Sequence, residues 1–146
     1  MGHLVTPASV DSLSSIGAFV MEAAAEAGLS KQAAYRLRLA VDEIATNSVH
    51  YGYAEANSPQ SLELFSEVDE QSLKIVLQDR GIPYDPRERP PPADLHRPPE
   101  ERNIGGLGIF LALEGVDEFQ YERSGDVNRN IFIMRRTAPP QQSTSP

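Results

Sequence analysis

Glu43 and Asn47 stand four residues apart in the stretch LAVDEIATN. On a helix that spacing sets their side chains one above the other. A carboxylate beside a carboxamide oxygen offers a hard ligand for Mg²⁺ and a base for a nearby hydroxyl or water. Mg²⁺ keeps most of its waters, so one protein oxygen together with phosphate oxygens would suffice. Arg36 and His50 fall on the same face, within about 40° by helical arithmetic. The plain alternative is a solvated helix face.

Asp79 continues the parity of Leu73, Ile75 and Leu77, so it should point to the apolar side of a sheet at a strand end. A carboxylate there needs donors, because an unpaired buried charge is costly. The exocyclic amine of adenine would supply one, and Gly81 leaves room for a base beside the backbone. A turn-capping role for Asp79 ahead of Gly81 accounts for the same residues. Further on, Gly105, Gly106, Leu107 and Gly108 open a helical run through Ile109 and Phe110. Glycines let backbone N–H groups approach phosphate oxygens, and a helix N-terminus favours the negative charge. No Lys-Ser/Thr follows, so this is not a Walker A loop; nor is it a dinucleotide fingerprint, which needs a preceding strand in a parallel context. A glycine hinge is the competing explanation.

The elements that must position these residues are legible from periodicity. His3–Thr6 reads as a short edge strand. Ser9 or Asp11 caps a helix that runs to about Ala27 and stops at Gly28. Ser30 caps a second helix from Lys31 to about Tyr51, buried along Leu37, Val41, Ile44 and Ala45. Leu62, Leu64 and Val68 alternate with Glu63 and Glu67, and after a turn at Asp69–Ser72 the pattern resumes in Leu73, Ile75 and Leu77, predicting an antiparallel hairpin. Leu107–Leu113 is a third helix, and Phe119–Arg123 with Asn130–Arg135 form a closing hairpin around Gly125. Residues 83–104, dense in Pro and charge, form a long loop of the kind that serves as a lid or binding loop. Residues 137–146, rich in Pro, Gln and Ser, read as a disordered tail. Helices grouped with consecutive antiparallel strands imply an α+β two-layer sandwich, with the helices on one face of a mostly antiparallel sheet.

Composition bounds the partners. At 146 residues the chain suits one domain with a true core. It has no cysteine, which excludes disulfides, thiolate metal sites and cysteine nucleophiles and permits a reducing cytoplasm. No apolar run reaches the ~20 residues of a membrane span, so a soluble, cytoplasmic protein without a membrane partner is expected. The net charge of −8 argues against direct nucleic-acid binding, since phosphate backbones attract Lys and Arg.

Together these segments resemble the GHKL (Bergerat-fold, histidine kinase-like) ATPases, and specifically their anti-sigma factor/serine-protein kinase branch. Leu39–Tyr53, LAVDEIATNSVHYGY, is similar to that branch's N-box with its Glu-x-x-x-Asn and closing His-x-Gly-Tyr. Asp79–Pro86, DRGIPYDP, is similar to the Asp-x-Gly-x-x-Phe-Asp-Pro box, with Tyr84 in place of Phe. Gly105–Leu111, GGLGIFL, is similar to the second glycine box. The order and spacing match, and the resemblance covers nearly the whole chain before the tail, as one domain over residues 1–136.

The resemblance implies an ATP site in which Asn47 holds Mg²⁺ and Glu43 is the general base toward a substrate serine. Asp79 reads the adenine amine with Gly81 beside the ring, Gly105, Gly106, Leu107 and Gly108 surround the phosphates, and residues 83–104 are the ATP lid. Arg102 stands where a lid arginine could reach the phosphates, without a strict motif match. The branch's substrate is a serine or threonine of an anti-anti-sigma (STAS-domain) protein, and its other partner is a sigma factor. Homodimers are common in the branch, although no stripe in this sequence identifies an interface. An ATP-binding anti-sigma or partner-switching regulator with little kinase activity is the second reading; retained Glu43 favours the kinase. A two-component histidine kinase would need a phosphoacceptor helix, for which the segment before the first motif leaves no room. The proline run departs from a typical flexible lid, and the resemblance assigns His50 no fixed catalytic task.

Overall fold

A computed structural model describes residues 2–49, 61–81, 83, 85–87 and 105–136, with residues 105–108 and 110 described by their backbone alone. The chain begins with a strand, β1 (Gly2–Pro7), and a single 3₁₀ turn at Val10–Ser12 leads into helix α1 (Leu13–Ala27). Gly28 ends α1 with φ of 77°, a left-handed conformation that costs glycine little. Its N–H donates to Ala25 O at 3.0 Å and the Leu29 N–H to Ala24 O at 3.0 Å, the paired bonds of a Schellman ending. Helix α2 (Lys31–Asn47) starts at once, because the Ser30 hydroxyl oxygen accepts from the Ala33 N–H at 3.1 Å. That bond satisfies one of the first-turn donors left without a helical partner.

The remaining elements are β2 (Ser61–Val68), β3 (Ser72–Asp79), α3 (Gly105–Glu114), β4 (Glu118–Ser124) and β5 (Val127–Arg135). The strands form one sheet in the order β1-β2-β3-β5-β4, and every neighbouring pair is antiparallel. One face carries Leu62, Leu64, Leu73, Ile75, Leu77, Phe132 and Met134, all buried against Ile16, Val20, Leu37, Val41 and Ile44 of the helices. This is the expected two-layer α+β sandwich. Its opposite face alternates as a strand period requires: Glu63, Lys74, Gln78 and Arg129 are partly exposed, while Val76 and Ile131 oppose each other in register and shield one another. Val68 has the inward parity but is 41% exposed, at the last residue of its strand.

The hairpin turn at Asp69 forms as expected, the Asp69 carboxylate accepting from the Gln71 and Ser72 N–H groups at 2.7 Å each. The closing hairpin differs. β5 begins at Val127 rather than Asn130, with Ser124 paired directly to Val127 and Gly125 at φ of 61°. A two-residue turn with a left-handed glycine first matches the twist of the strands it joins, so pairing extends from Val127 through Asn128 and Arg129, polar residues whose intrinsic strand preference is low. The predicted end of the second helix near Tyr51, most of the 83–104 lid, Arg102 and the 137–146 tail lie outside the described residues. Among the described residues no helix is long and apolar enough to cross a membrane.

Phe132 sits at the centre of this packing, fully buried and edge-on to Phe119 at 5.2 Å between ring centroids. Phe132→Ala is expected to lower the unfolding free energy by about 3–5 kcal/mol, the lost transfer energy plus a cavity, measured by urea denaturation at unchanged m-value.

Candidate functional site

Helix α2 builds one wall. Its apolar stripe seats Leu37, Val41, Ile44 and Ala45 in the core as expected, and this fixes the rotation of the residues beside them. Asn47 is only 5% exposed and Glu43 is half-buried, so the face they share is not a solvated one. The Asn47 Nδ2 is buried and has no hydrogen-bond partner among the described residues. A buried amide donor without a partner costs on the order of 1–3 kcal/mol, so the described residues leave this group open to a ligand. Burial pushes the Glu43 carboxyl above its ordinary value, and the neighbouring Asp42 charge adds to the effect. Asp42 is itself raised by burial, against the pull of Arg38, whose Nε lies 3.6 Å from Asp42 Oδ2. Arg36 is exposed, with its aliphatic stem against Gly115; His50 lies outside the described residues.

Beyond Asn47 the helix widens into a π-type turn at Ser48 and Val49, a feature common at functional sites. The Ser48 hydroxyl donates to Asp79 Oδ2 at 3.0 Å. Asp79, at the end of β3, points inward as its parity requires and is 5% exposed. Its Oδ1 accepts from the Gly81 N–H at 2.9 Å and from Asn128 Nδ2 at 2.8 Å. Asp79 thus does cap the following turn, as the alternative reading has it, and is at the same time a buried charge shared by three elements. Gly81 is buried too, and its carbonyl accepts from Arg123 Nη1 at 2.8 Å. Past it, Asp85 accepts from the Arg87 N–H and guanidinium, and Arg87 lies over the Phe119 ring. These contacts anchor the end of the Asp79–Pro86 segment on β4.

Sequence reasoning therefore named Glu43, Asn47, Asp79 and Gly81, and the fold brings the ends of α2 and β3 together. Gly105, Gly106, Leu107 and Gly108 form the first turn of α3, a helix packed on α2. Ser48, Tyr121, Arg123 and Asn128 were missed. Ser48 had a signal, directly following Asn47. Asn128 had none, because the strand that carries it begins at Val127, three residues before the expected Asn130.

The chain matches the model of the histidine kinase-like ATPase domain over residues 6–136. It is 30% identical over 123 residues to the serine-protein kinase RsbW of Staphylococcus aureus strain MSSA476, covering 82% of this chain and 77% of that protein. The same relative in strain MRSA252 matches to the same extent. The chain belongs to the histidine kinase-like ATPase family. Solved structures agree on the fold. The RsbU and RsbW domains of Rv1364c from Mycobacterium tuberculosis superpose with a TM-score of 0.61 at 18% identity, over 95% of this chain and 34% of that one. The histidine kinase domain of a blue-light activated kinase from Erythrobacter litoralis EL346 gives 0.55 at 18% identity, over 89% and 61%. This chain thus spans about a third of the length of the Rv1364c structure.

For a histidine kinase-like ATPase the donor set fits a nucleotide with its Mg²⁺. Among the described residues no cluster of three or more His, Asp or Glu could cage a metal, while Asn47 holds a carboxamide whose unpartnered end is buried. Turned by half a rotation, that carboxamide presents its oxygen instead of its nitrogen in the same place. A single neutral oxygen suits an ion that takes its other ligands from phosphate and water.

The raised Glu43 carboxyl has a measurable consequence. The folded state holds that proton more tightly than the unfolded chain, so stability is lost as pH rises from the ordinary value of 4.5 through the raised folded one. Glu43→Gln removes this loss. Its melting temperature is expected to equal or exceed that of the wild type at about pH 7.5 and to converge with it at about pH 4. A lower melting temperature at neutral pH would show that the charge is stabilising instead.

Proposed function

We propose that the chain is an ATP-dependent serine-protein kinase and anti-sigma factor that acts on a STAS-domain anti-anti-sigma protein in a partner-switching system. The observation that carries this reading is the hydrogen bond from Ser48 to Asp79. It joins the end of the Glu43/Asn47 helix to the end of the Asp79/Gly81 strand, two segments 31 residues apart, as one nucleotide needs. The RsbW relatives are named serine-protein kinases, which supports a protein serine as acceptor, and the RsbU/RsbW structure supports the fold.

In this reading Asp79 accepts from the adenine amine and Gly81 lies beside the base. Asn47 holds Mg²⁺, which when bound neutralises charge on the phosphates. The α3 glycines present their amides to the phosphates, where the helix N-terminus is electrostatically favourable. α3 is ten residues long, so about 15 Å, and Gly115 just past it lies at Arg36. In this reading α3 runs antiparallel to α2, which carries Gly105 to the level of Asn47. Residues 83–104 are assigned as the ATP lid and Arg102 as a phosphate-binding residue, within one ATP-binding domain over residues 1–136 ahead of the tail. Glu43 takes the proton of the incoming serine hydroxyl as its oxygen attacks the γ-phosphorus; the bond to the bridging oxygen breaks and ADP leaves. A carboxyl raised by burial is a better base than a solvated one. The setting is cytoplasmic, with a sigma factor as the second partner and a homodimer as the expected assembly.

Incubation with γ-labelled ATP and a STAS-domain protein from the same cell is expected to label a serine of that protein. Glu43→Gln should reduce transfer by at least about a hundredfold, within the range of general-base effects, while leaving ATP affinity within a few-fold. Asn47→Ala should weaken nucleotide binding in Mg²⁺ and much less in EDTA. ATP binding without any transfer by the wild type would overturn the kinase activity and leave an ATP-responsive regulator.

A further inference from the structure

The Asp79 carboxylate is already heavily engaged by its own protein. A carboxylate offers about four acceptor positions. On Oδ1 both are taken, by the Gly81 N–H at 2.9 Å and by Asn128 Nδ2 at 2.8 Å. On Oδ2 one is taken, by the Ser48 hydroxyl at 3.0 Å. One position on Oδ2 is left.

Asn128 stands directly opposite Asp79 in the β3–β5 register and is 3% exposed. A buried carboxamide can in principle turn either end toward a neighbour, and the neighbours decide which. Here the Tyr121 hydroxyl of β4 donates to Asn128 Oδ1, so the oxygen end is held toward β4 and the donor end faces Asp79. Asn128 Nδ2 also donates to Gly81 O, with 3.4 Å between nitrogen and oxygen, and Arg123 holds the same carbonyl. A chain of hydrogen bonds therefore runs from Tyr121 through Asn128 to Asp79 across three strands.

We propose that Asn128, oriented by the Tyr121 hydroxyl, is a positioning residue that sets purine selectivity at Asp79. By donating to Oδ1 beside the Gly81 N–H it leaves the Asp79 carboxylate one open acceptor among the described residues, on Oδ2. That acceptor takes an amino N–H at purine position 6. A 6-oxo purine places a lone pair there instead, leaving the buried carboxylate facing a second acceptor. The inference rests on the proposed reading in which Asp79 faces the adenine amine.

The test compares ATP with ITP, its 6-oxo counterpart, by calorimetry on the full chain. The wild type is expected to prefer ATP by at least about a hundredfold. Tyr121→Phe, which keeps the ring and deletes one neutral hydrogen bond, should narrow the preference roughly three- to tenfold. Asn128→Asp sets a second carboxyl against Asp79, where two such groups share a proton. Asp79 can then donate to a 6-oxo oxygen, and the preference should shrink further, chiefly through tighter ITP binding. A merely structural role would lower both affinities in proportion and leave their ratio unmoved. If Asn128→Asp does not fold, as judged by its melting curve, Tyr121→Phe alone decides. A wild-type preference that survives Tyr121→Phe unchanged overturns this inference and leaves the ATP site standing; a wild type that binds ATP and ITP equally overturns the assignment of Asp79 to the adenine amine, and this inference with it.

Discussion

The structure turns on a carboxylate that has been taken out of water. Asp79 lies at the inner end of β3, and a charge in that position is tolerated only if donors converge on it. They come from the turn after β3, from the end of α2 and from β5. Each donor constrains an element. The Ser48 bond sets how far α2 runs across the sheet, the Asn128 bond requires the β3–β5 register to hold to its last pair, and the Gly81 bond sets the direction in which the chain leaves the sheet. Three parts of the fold are thereby locked around one atom pair, and the same lock draws the end of α2 to the end of β3.

Helix α2 carries two duties on adjacent faces. Its Leu37, Val41 and Ile44 are in the core, and Glu43 and Asn47 are drawn inward beside them. The cost shows in the electrostatics: Asp42 and Glu43 both sit above their ordinary values because burial disfavours their charge, and Asp42 Oδ1 and Asn47 Nδ2 are buried without partners among the described residues. A core built for stability alone would not hold these groups. Their presence along one helix is the pattern expected where stability has been given up for a reactive or ligand-binding surface.

Much of this was legible in the chain. The Schellman stop at Gly28, the Ser30 cap, the buried stripe of α2 and the alternation of β2 and β3 follow from local chemistry, and local chemistry is what a sequence displays. Asp79 was legible for the same reason, since parity within a strand is a local property. The start of β5 was not. Asn128 and Arg129 have little strand preference of their own, and they pair because the turn at Gly125 brings β4 alongside them. Ser48 was passed over because its role depends on a strand 31 residues away.

By itself, then, the sequence determined the elements, their inward faces, the family and the residue types of a nucleotide site, because periodicity, caps and motif spacing are written along the chain. Tertiary structure decided that Asn47 is buried rather than solvated, that Asp79 is bound by Ser48, Gly81 and Asn128, and that Tyr121 orients Asn128 toward it. Those facts depend on which strands and helices lie side by side. A hydrogen bond between distant residues exists only once packing has closed the distance, and packing is a property of the whole fold.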